Sequence, residues 1–331
     1  MTTETTAEQA LDKLSETRDR LLGEIKKGVV GQDEVIEQLL ITLLARGHCL
    51  LTGIPGLGKT LLVKTLANCL TLGFKRIQFT PDLMPADVVG SEVVDEDPAT
   101  GKRSFRFSPG PIFSQVVLAD EINRTPPKTQ AALLEAMEER QVTVAGQTRA
   151  LESPFFVLAT QNPIELEGTY PLPEAQLDRF LLNPVIEYLS EQDEIRMVGE
   201  TTGDSRSLPE AVLTGPEIEV LQNLTRQVPA PENVVSYAVR LVSASRPGSE
   251  SCDEWTSART KWGAGSRGSQ ALVLAAKAKA LLDGRTNASC EDIKKLAIPA
   301  LRHRILPSFL AESEGVGADE VIAHLLDKVP A

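Results

Sequence analysis

Apolar positions recur at helical spacing from about Leu11 to Lys27 and again from Asp33 to about Ala45, with Val29-Val30-Gly31-Gln32 as the break between them. The first dozen or so residues are predicted to fray. The pattern then changes to short apolar runs, at His48 to Thr52, Ile77 to Thr80, Val116 to Asp120 and Phe155 to Thr160, which read as buried strands. Helical stretches at Lys59 to Leu70 and Lys128 to Arg140 lie between them. Strands alternating with helices predict an α/β fold with a largely parallel sheet. From about Ser190 the strand signals stop. Helices are predicted at Gln192 to Thr201, Thr214 to Gln227, Glu232 to Ser245, Ser269 to Asp283, Ser289 to Leu301 and Asp319 to Lys328. The expected division is an α/β domain over 1–190 and an all-helical domain over 191–331.

Two segments interrupt the first half. Pro81 to Pro111 contains an alternating stretch, Arg103 to Phe107, and turn residues at Asp97 to Gly101, so a hairpin is expected there. Gln141 to Leu151 also alternates around Ala145-Gly146 and reads as a second hairpin.

Charge and composition narrow the partners. Lys and Arg number 34 against 46 Asp and Glu, a net charge of −12 that repels phosphate on average and argues against nucleic acid as partner. Aromatics at 4% offer few stacking platforms for bases. No apolar run reaches the roughly 18–20 residues that span a bilayer, and Met1 to Ala10 has no signal-peptide pattern. Four cysteines with no close pair fit neither a disulfide framework nor a zinc site, and a reducing cytoplasmic setting is expected.

The chemistry concentrates in a few segments. Gly53-Ile54-Pro55-Gly56-Leu57-Gly58-Lys59-Thr60, followed by Leu61, matches G-x-x-x-x-G-K-[ST] between a strand and a helix. Glycines there let backbone amides cradle β- and γ-phosphates at a helix N-terminus. Lys59 adds a mobile cation, and the Thr60 hydroxyl suits Mg²⁺. Val116 to Asp120 ends in an acidic pair: Asp120 is placed to hold Mg²⁺, Glu121 to polarise the attacking water. Asn162, at the end of the next run, either orients that water or simply precedes Pro163 in a turn. On residue type alone, Arg179 and Arg267 read as solvated or capping residues near helix ends.

Taken in order, these segments resemble the AAA+ ATPases, and within them the MoxR family. The resemblance rests on Val30-Gly31-Gln32, the glycine-rich loop, Leu118 to Arg124, Ala159 to Pro163, Pro173 to Phe180 and Leu301 to Ile305, and runs from about Ile25 to Ile305. It implies a P-loop NTPase core with a helix-2 insert at Pro81 to Pro111 and a pre-sensor hairpin at Gln141 to Leu151, followed by an all-helical AAA+ lid. It implies that Val30, Gly31 and Gln32 border the adenine and that Asn162 is sensor 1. It further implies that Arg179 is an arginine finger acting in trans and that Arg267 is sensor 2, closing the lid over the nucleotide. The family usually has Ser-Pro before that last arginine, where this chain has Gly265-Ser266. The implied function is Mg²⁺-dependent ATP hydrolysis in a homo-oligomeric ring of about six subunits. The implied work is remodelling of protein clients with a von Willebrand factor A domain partner. Two rivals are a nucleic-acid motor of the same clade, which the charge opposes, and a non-hydrolysing scaffold, which the presence of Glu121, Asn162 and Arg179 opposes.

Overall fold

The computed structural model describes residues 4–96, 103–162, 169–202 and 208–331, and of residues 4–14 the backbone alone. In chain order the first half runs α1 (Glu4–Gly28), α2 (Asp33–Leu44), β1 (Cys49–Thr52), α3 (Lys59–Cys69), β2 (Phe74–Gln78), α4 (Pro85–Val89), β3 (Gly90–Glu96), β4 (Arg103–Pro109) and β5 (Val116–Asp120). A 3₁₀ turn at Ile122–Arg124 leads to α5 (Pro127–Glu139), β6 (Gln141–Val144), β7 (Gln147–Ala150), β8 (Phe156–Gln161) and α6 (Glu174–Leu177). The second half holds α7 (Glu191–Thr202), α8 (Gly215–Gln227), α9 (Glu232–Ala244), α10 (Glu254–Arg259), β9 (Thr260–Trp262) and α11 (Ser266–Leu282). It closes with α12 (Cys290–Leu301), β10 (Leu306–Pro307), α13 (Phe309–Ser313) and α14 (Ala318–Lys328).

Four strands form a parallel sheet in the order β1-β8-β5-β2. Its two faces follow from the period of two along each strand. Val116 and Leu118 of β5, Phe156 and Leu158 of β8, and Cys49 and Leu51 of β1 enter the core shared with α2, α3, α9, α11 and α12. Val117, Ala119, Val157, Ala159 and Leu50 enter a second core against Leu133, Leu134 and Met137 of α5. Burial on both faces explains why the central strands read as continuous apolar runs.

Beyond β1 the chain adds an incomplete fifth strand that its pattern did not announce. Leu182 and Val185 bridge to Cys49 and Thr52 in parallel. The amides of Leu50 and Thr52 donate to the carbonyls of Leu182 and Pro184, both at 3.0 Å. Pro184 has no amide to give, which confines such a segment to an edge.

Several boundaries differ from expectation. The second strand lies at Phe74–Gln78 rather than Ile77 to Thr80, because an edge strand tolerates exposed Lys75 and Arg76. Helix α1 starts at Glu4, not Leu11, and α11 starts at Ser266, not Ser269. The second half is not wholly helical: β9 and β10 pair antiparallel, and short α10 and α13 flank them. Both hairpins form, as β3 with β4 and β6 with β7. The Asp97 to Gly101 turn lies outside the described residues.

The segment Leu301 to Ile305 joins the helical half to the base of β1. The buried Arg304 donates to the Asp178 carboxylate (2.6 Å) and to the carbonyls of Phe180 (2.6 Å) and Leu181 (3.1 Å). His303 Nε2 meets the Phe180 carbonyl (3.0 Å), and Arg302 reaches that of Asn183 (3.2 Å). Arg304→Met should therefore strand the Asp178 carboxylate and the carbonyls of Asp178, Phe180, Leu181 and Ala300, costing about 3–5 kcal/mol. Denaturant melts of the purified variant check this, and a midpoint equal to the parent's would contradict it.

Candidate active site

The phosphate loop leaves β1 at Gly53 and enters α3 at Lys59. Gly56 and Gly58 have φ of 88° and 74°, in the left-handed region that favours glycine, while open space surrounds both. Their need is conformational: they aim the loop amides at a common point before the helix N-terminus. Gly53 is needed for a different reason, since a Cβ there would stand 2.9 Å from the Ile186 carbonyl oxygen. Lys59 folds back to donate to the Gly53 carbonyl and is half-buried. Burial lowers its pKa, opposed by the charges of Asp120 and Glu121.

Strand order brings the remaining pieces to this edge. β8 lies between β1 and β5, so its tip, with buried Asn162 just beyond, falls between the phosphate loop and the acidic pair. Thr160 links the two acids: its hydroxyl donates to Asp120 Oδ1 (2.7 Å) and accepts from the Glu121 amide (2.8 Å). Glu121 adopts φ 58°, ψ 49°, a left-handed conformation costly for a non-glycine residue. Its carboxylate accepts from Gln78 Nε2 and Arg124 Nη1, both at 2.9 Å. Asp120 Oδ2 takes Arg76 at 2.6 Å. Thr60, in the first turn of α3, and Asp120 supply the hard oxygen donors that Mg²⁺ prefers, so these residues fit that ion.

Arg76, Gln78 and Arg124 were not assigned to the site from sequence. Arg124 follows Glu121 by three residues in the same segment. For Arg76 and Gln78 the signal is register, because Gln78 stands directly beside Asp120 across β2 and β5. That becomes readable only once the strand order is known.

Gly31 and Gln32 line a cleft beside the loop, and half-buried Val30 precedes them in the chain without lining it. Gln32 Nε2 donates to the Glu187 carbonyl (3.2 Å), next to the Ile186 that touches Gly53. Gly31 has φ 72°, and a Cβ there would strike Leu189 at 2.8 Å. Tyr188 and, from the helical half, Ile298 and Arg302 complete the cleft. Pro163, which follows Asn162, lies outside the described residues.

Arg179 and Arg267 are elsewhere. α5 starts beside the tip of β5 and runs down to the base of β1, where the Met137 carbonyl meets His48 Nε2 (3.0 Å). His48 Nδ1 accepts from the Val157 amide, and burial pushes its pKa down to about 4, so the ring is a neutral structural group. At this base Glu138 takes Arg179 at 2.9 Å and Arg267 at 3.0 Å. The phosphate loop leaves the opposite end of β1. Arg267 therefore does not close over its own chain's nucleotide site as expected. The lid packs α11 against α2, and the first turn of that helix carries Arg267 to Glu138, the same carboxylate that holds Arg179.

A phosphate loop on the first strand, an acidic pair two strands away and a helical domain behind them define a P-loop NTPase with a lid. Residues 48–182 match the ATPase family associated with various cellular activities (AAA), and residues 252–325 match the AAA lid domain. An uncharacterised Bacillus subtilis protein, YeaC, is 42% identical over 92% of both chains. The chaperone MoxR1 of Mycobacterium tuberculosis is 38% identical over 95% of this chain and 82% of its own. The crystal structure of a Cytophaga hutchinsonii protein assigned as an ATPase superposes with a TM-score of 0.91 at 38% identity, covering 100% of this chain and 99% of that one. The chain belongs to the MoxR family of AAA+ ATPases.

Proposed function

We propose that the chain is a Mg²⁺-dependent ATPase that works as a closed homo-oligomeric ring of about six copies and remodels protein clients. The observation that carries this is the split of the charged machinery between two ends of one sheet. Phosphate loop, acidic pair and Asn162 share the C-terminal edge, while Arg179 stands at the base on Glu138. A cation at the base serves a γ-phosphate only if the phosphate belongs to another copy.

At the edge, the loop amides and Lys59 bind the phosphates, with Gly53, Pro55, Gly56, Leu57, Gly58, Thr60 and Leu61 shaping the cradle. Thr60 and Asp120 would hold Mg²⁺, which would supply positive charge against that of the phosphates. Asp120 would first have to give up Arg76. Glu121 accepts the proton of the attacking water, and Asn162 orients that water. The division into a catalytic core over 1–190 and a lid over 191–331 belongs to the same reading. So does a cytoplasmic setting, for which the four free thiols are the support.

Protein clients are favoured by the charge of −12 and by the relative named a chaperone. A von Willebrand factor A domain partner follows from family analogy alone.

Mixing inactive subunits tests the trans arginine. Neither Arg179→Ala nor Lys59→Ala rings should turn over alone. Co-assembled, they should regain hydrolysis where an Arg179→Ala site meets an intact arginine from a Lys59→Ala neighbour. Absence of recovery, with both variants folded and co-assembled, would sink the trans assignment.

A further inference from the structure

Glu138 occupies the last turn of α5 and receives cations from two distant parts of the chain. Its Oε2 takes Arg179 Nη2 at 2.9 Å, and its Oε1 takes Arg267 Nη2 at 3.0 Å. Arg179 Nη1 also donates to the Leu134 carbonyl at 2.6 Å, one turn back on the same helix face. Arg179 is thus held at two points of α5. Arg267, which opens the lid helix α11, is brought to the same spot from the other half of the chain.

Two guanidiniums sharing one carboxylate stand within about 8 Å of each other, where like charges repel unless a counter-charge lies between them. The buried Arg304 also feels the charge of Arg267, but Asp178 pairs with it at 2.6 Å. The Glu138 triad by itself carries one net positive charge, while Glu135 and Glu139 line the same hollow; the cation pair itself, rather than the net charge around it, is what suits an incoming triphosphate.

We propose that Glu138 is a positioning residue that holds Arg179 and Arg267 as one two-cation unit, presented by one subunit to the nucleoside triphosphate of a second copy of this chain. The inference rests on the reading of Arg179 as a trans group. It adds that the pose of the lid sets the pose of the finger through this one carboxylate.

The mixed-ring assay separates this from a structural role, because it shows which subunit suffers. Glu138→Gln keeps the size but removes the counter-charge and turns one of the two acceptors into a donor. Placed in the donating subunit, as Lys59→Ala/Glu138→Gln with Arg179→Ala, it should cut the recovered hydrolysis about tenfold. Placed in the receiving subunit, as Arg179→Ala/Glu138→Gln with Lys59→Ala, it should leave recovery within about twofold of the parent mixture. Glu138→Asp in the donor should restore part of the loss. Thermal melts and assembly measurements on each variant establish that the rings form. An equal loss in both placements, no loss in either, or a gain in the donor would overturn the positioning role. A parent mixture that fails to recover would instead remove the trans arginine, and the Glu138 proposal with it.

Discussion

Lys59→Ala should lose nucleotide binding, with affinity for ATP falling by more than about 100-fold. The ammonium is the one mobile cation of the phosphate loop, and a hydrogen bond to a charged group is worth about 3 kcal/mol at the upper end. Lys59 donates to the Gly53 carbonyl. The burial that lowers its pKa makes the group costly to keep charged there, and a triphosphate adds to the counter-charge that Asp120 and Glu121 already supply. The same burial predicts that folding survives the change. Among the described residues Lys59 has no ion pair with a carboxylate to give up, so the variant's melting temperature without nucleotide should stay near the parent's. The rise that saturating ATP gives the parent should vanish. Titration with a fluorescent ATP analogue, beside melts with and without ATP, reads both halves. Parent-like affinity would remove Lys59 from the phosphate site.

What was legible in the sequence divides along physical lines. Local chemistry was: Gly56 and Gly58 could be placed because a left-handed turn before a helix demands glycine, whatever lies far away in the chain. The core strands were legible too, since burial on both faces writes itself as Val116-Val117-Leu118-Ala119. Edge elements were not. β2 keeps Lys75 and Arg76 in solvent, and the Leu182 to Val185 segment is broken by Pro184, so neither carries a continuous apolar signal. The site followed the same rule. Lys59, Asp120 and Glu121 stand in motifs contiguous along the chain. Gln78 and Arg76 join them only through strand order, across more than forty residues. The expected place of Arg267 depended on how the lid docks. Contacts such as Arg304 with Asp178 decide that, and they span 126 residues of sequence with no periodic trace.

Glu121→Gln should bind ATP normally and hydrolyse it about 10²–10⁴ times more slowly, the range for removing a positioned general base. The substitution is nearly isosteric, and an amide oxygen still accepts from Gln78 Nε2 and Arg124 Nη1. What disappears is the negative charge that can take the water's proton. Stability should barely move. Arg124 is largely exposed, so the lost ion pair is worth at most about 1 kcal/mol. The left-handed backbone at residue 121 is as costly for glutamine as for glutamate, so that strain cancels between variant and parent. The predicted signature is therefore a fall in kcat with little change in ATP affinity, opposite to that of Lys59→Ala. Single-turnover hydrolysis beside equilibrium binding separates the two. Undiminished turnover would take Glu121 out of the proton-accepting role and leave Asn162 and the γ-phosphate itself to manage the water. The slow variant also turns the site into a trap. Held with ATP, its rings should keep a bound client long enough for capture. The identity of what is retained then tests the protein-client reading: nucleic acid in the trapped complex would count against it.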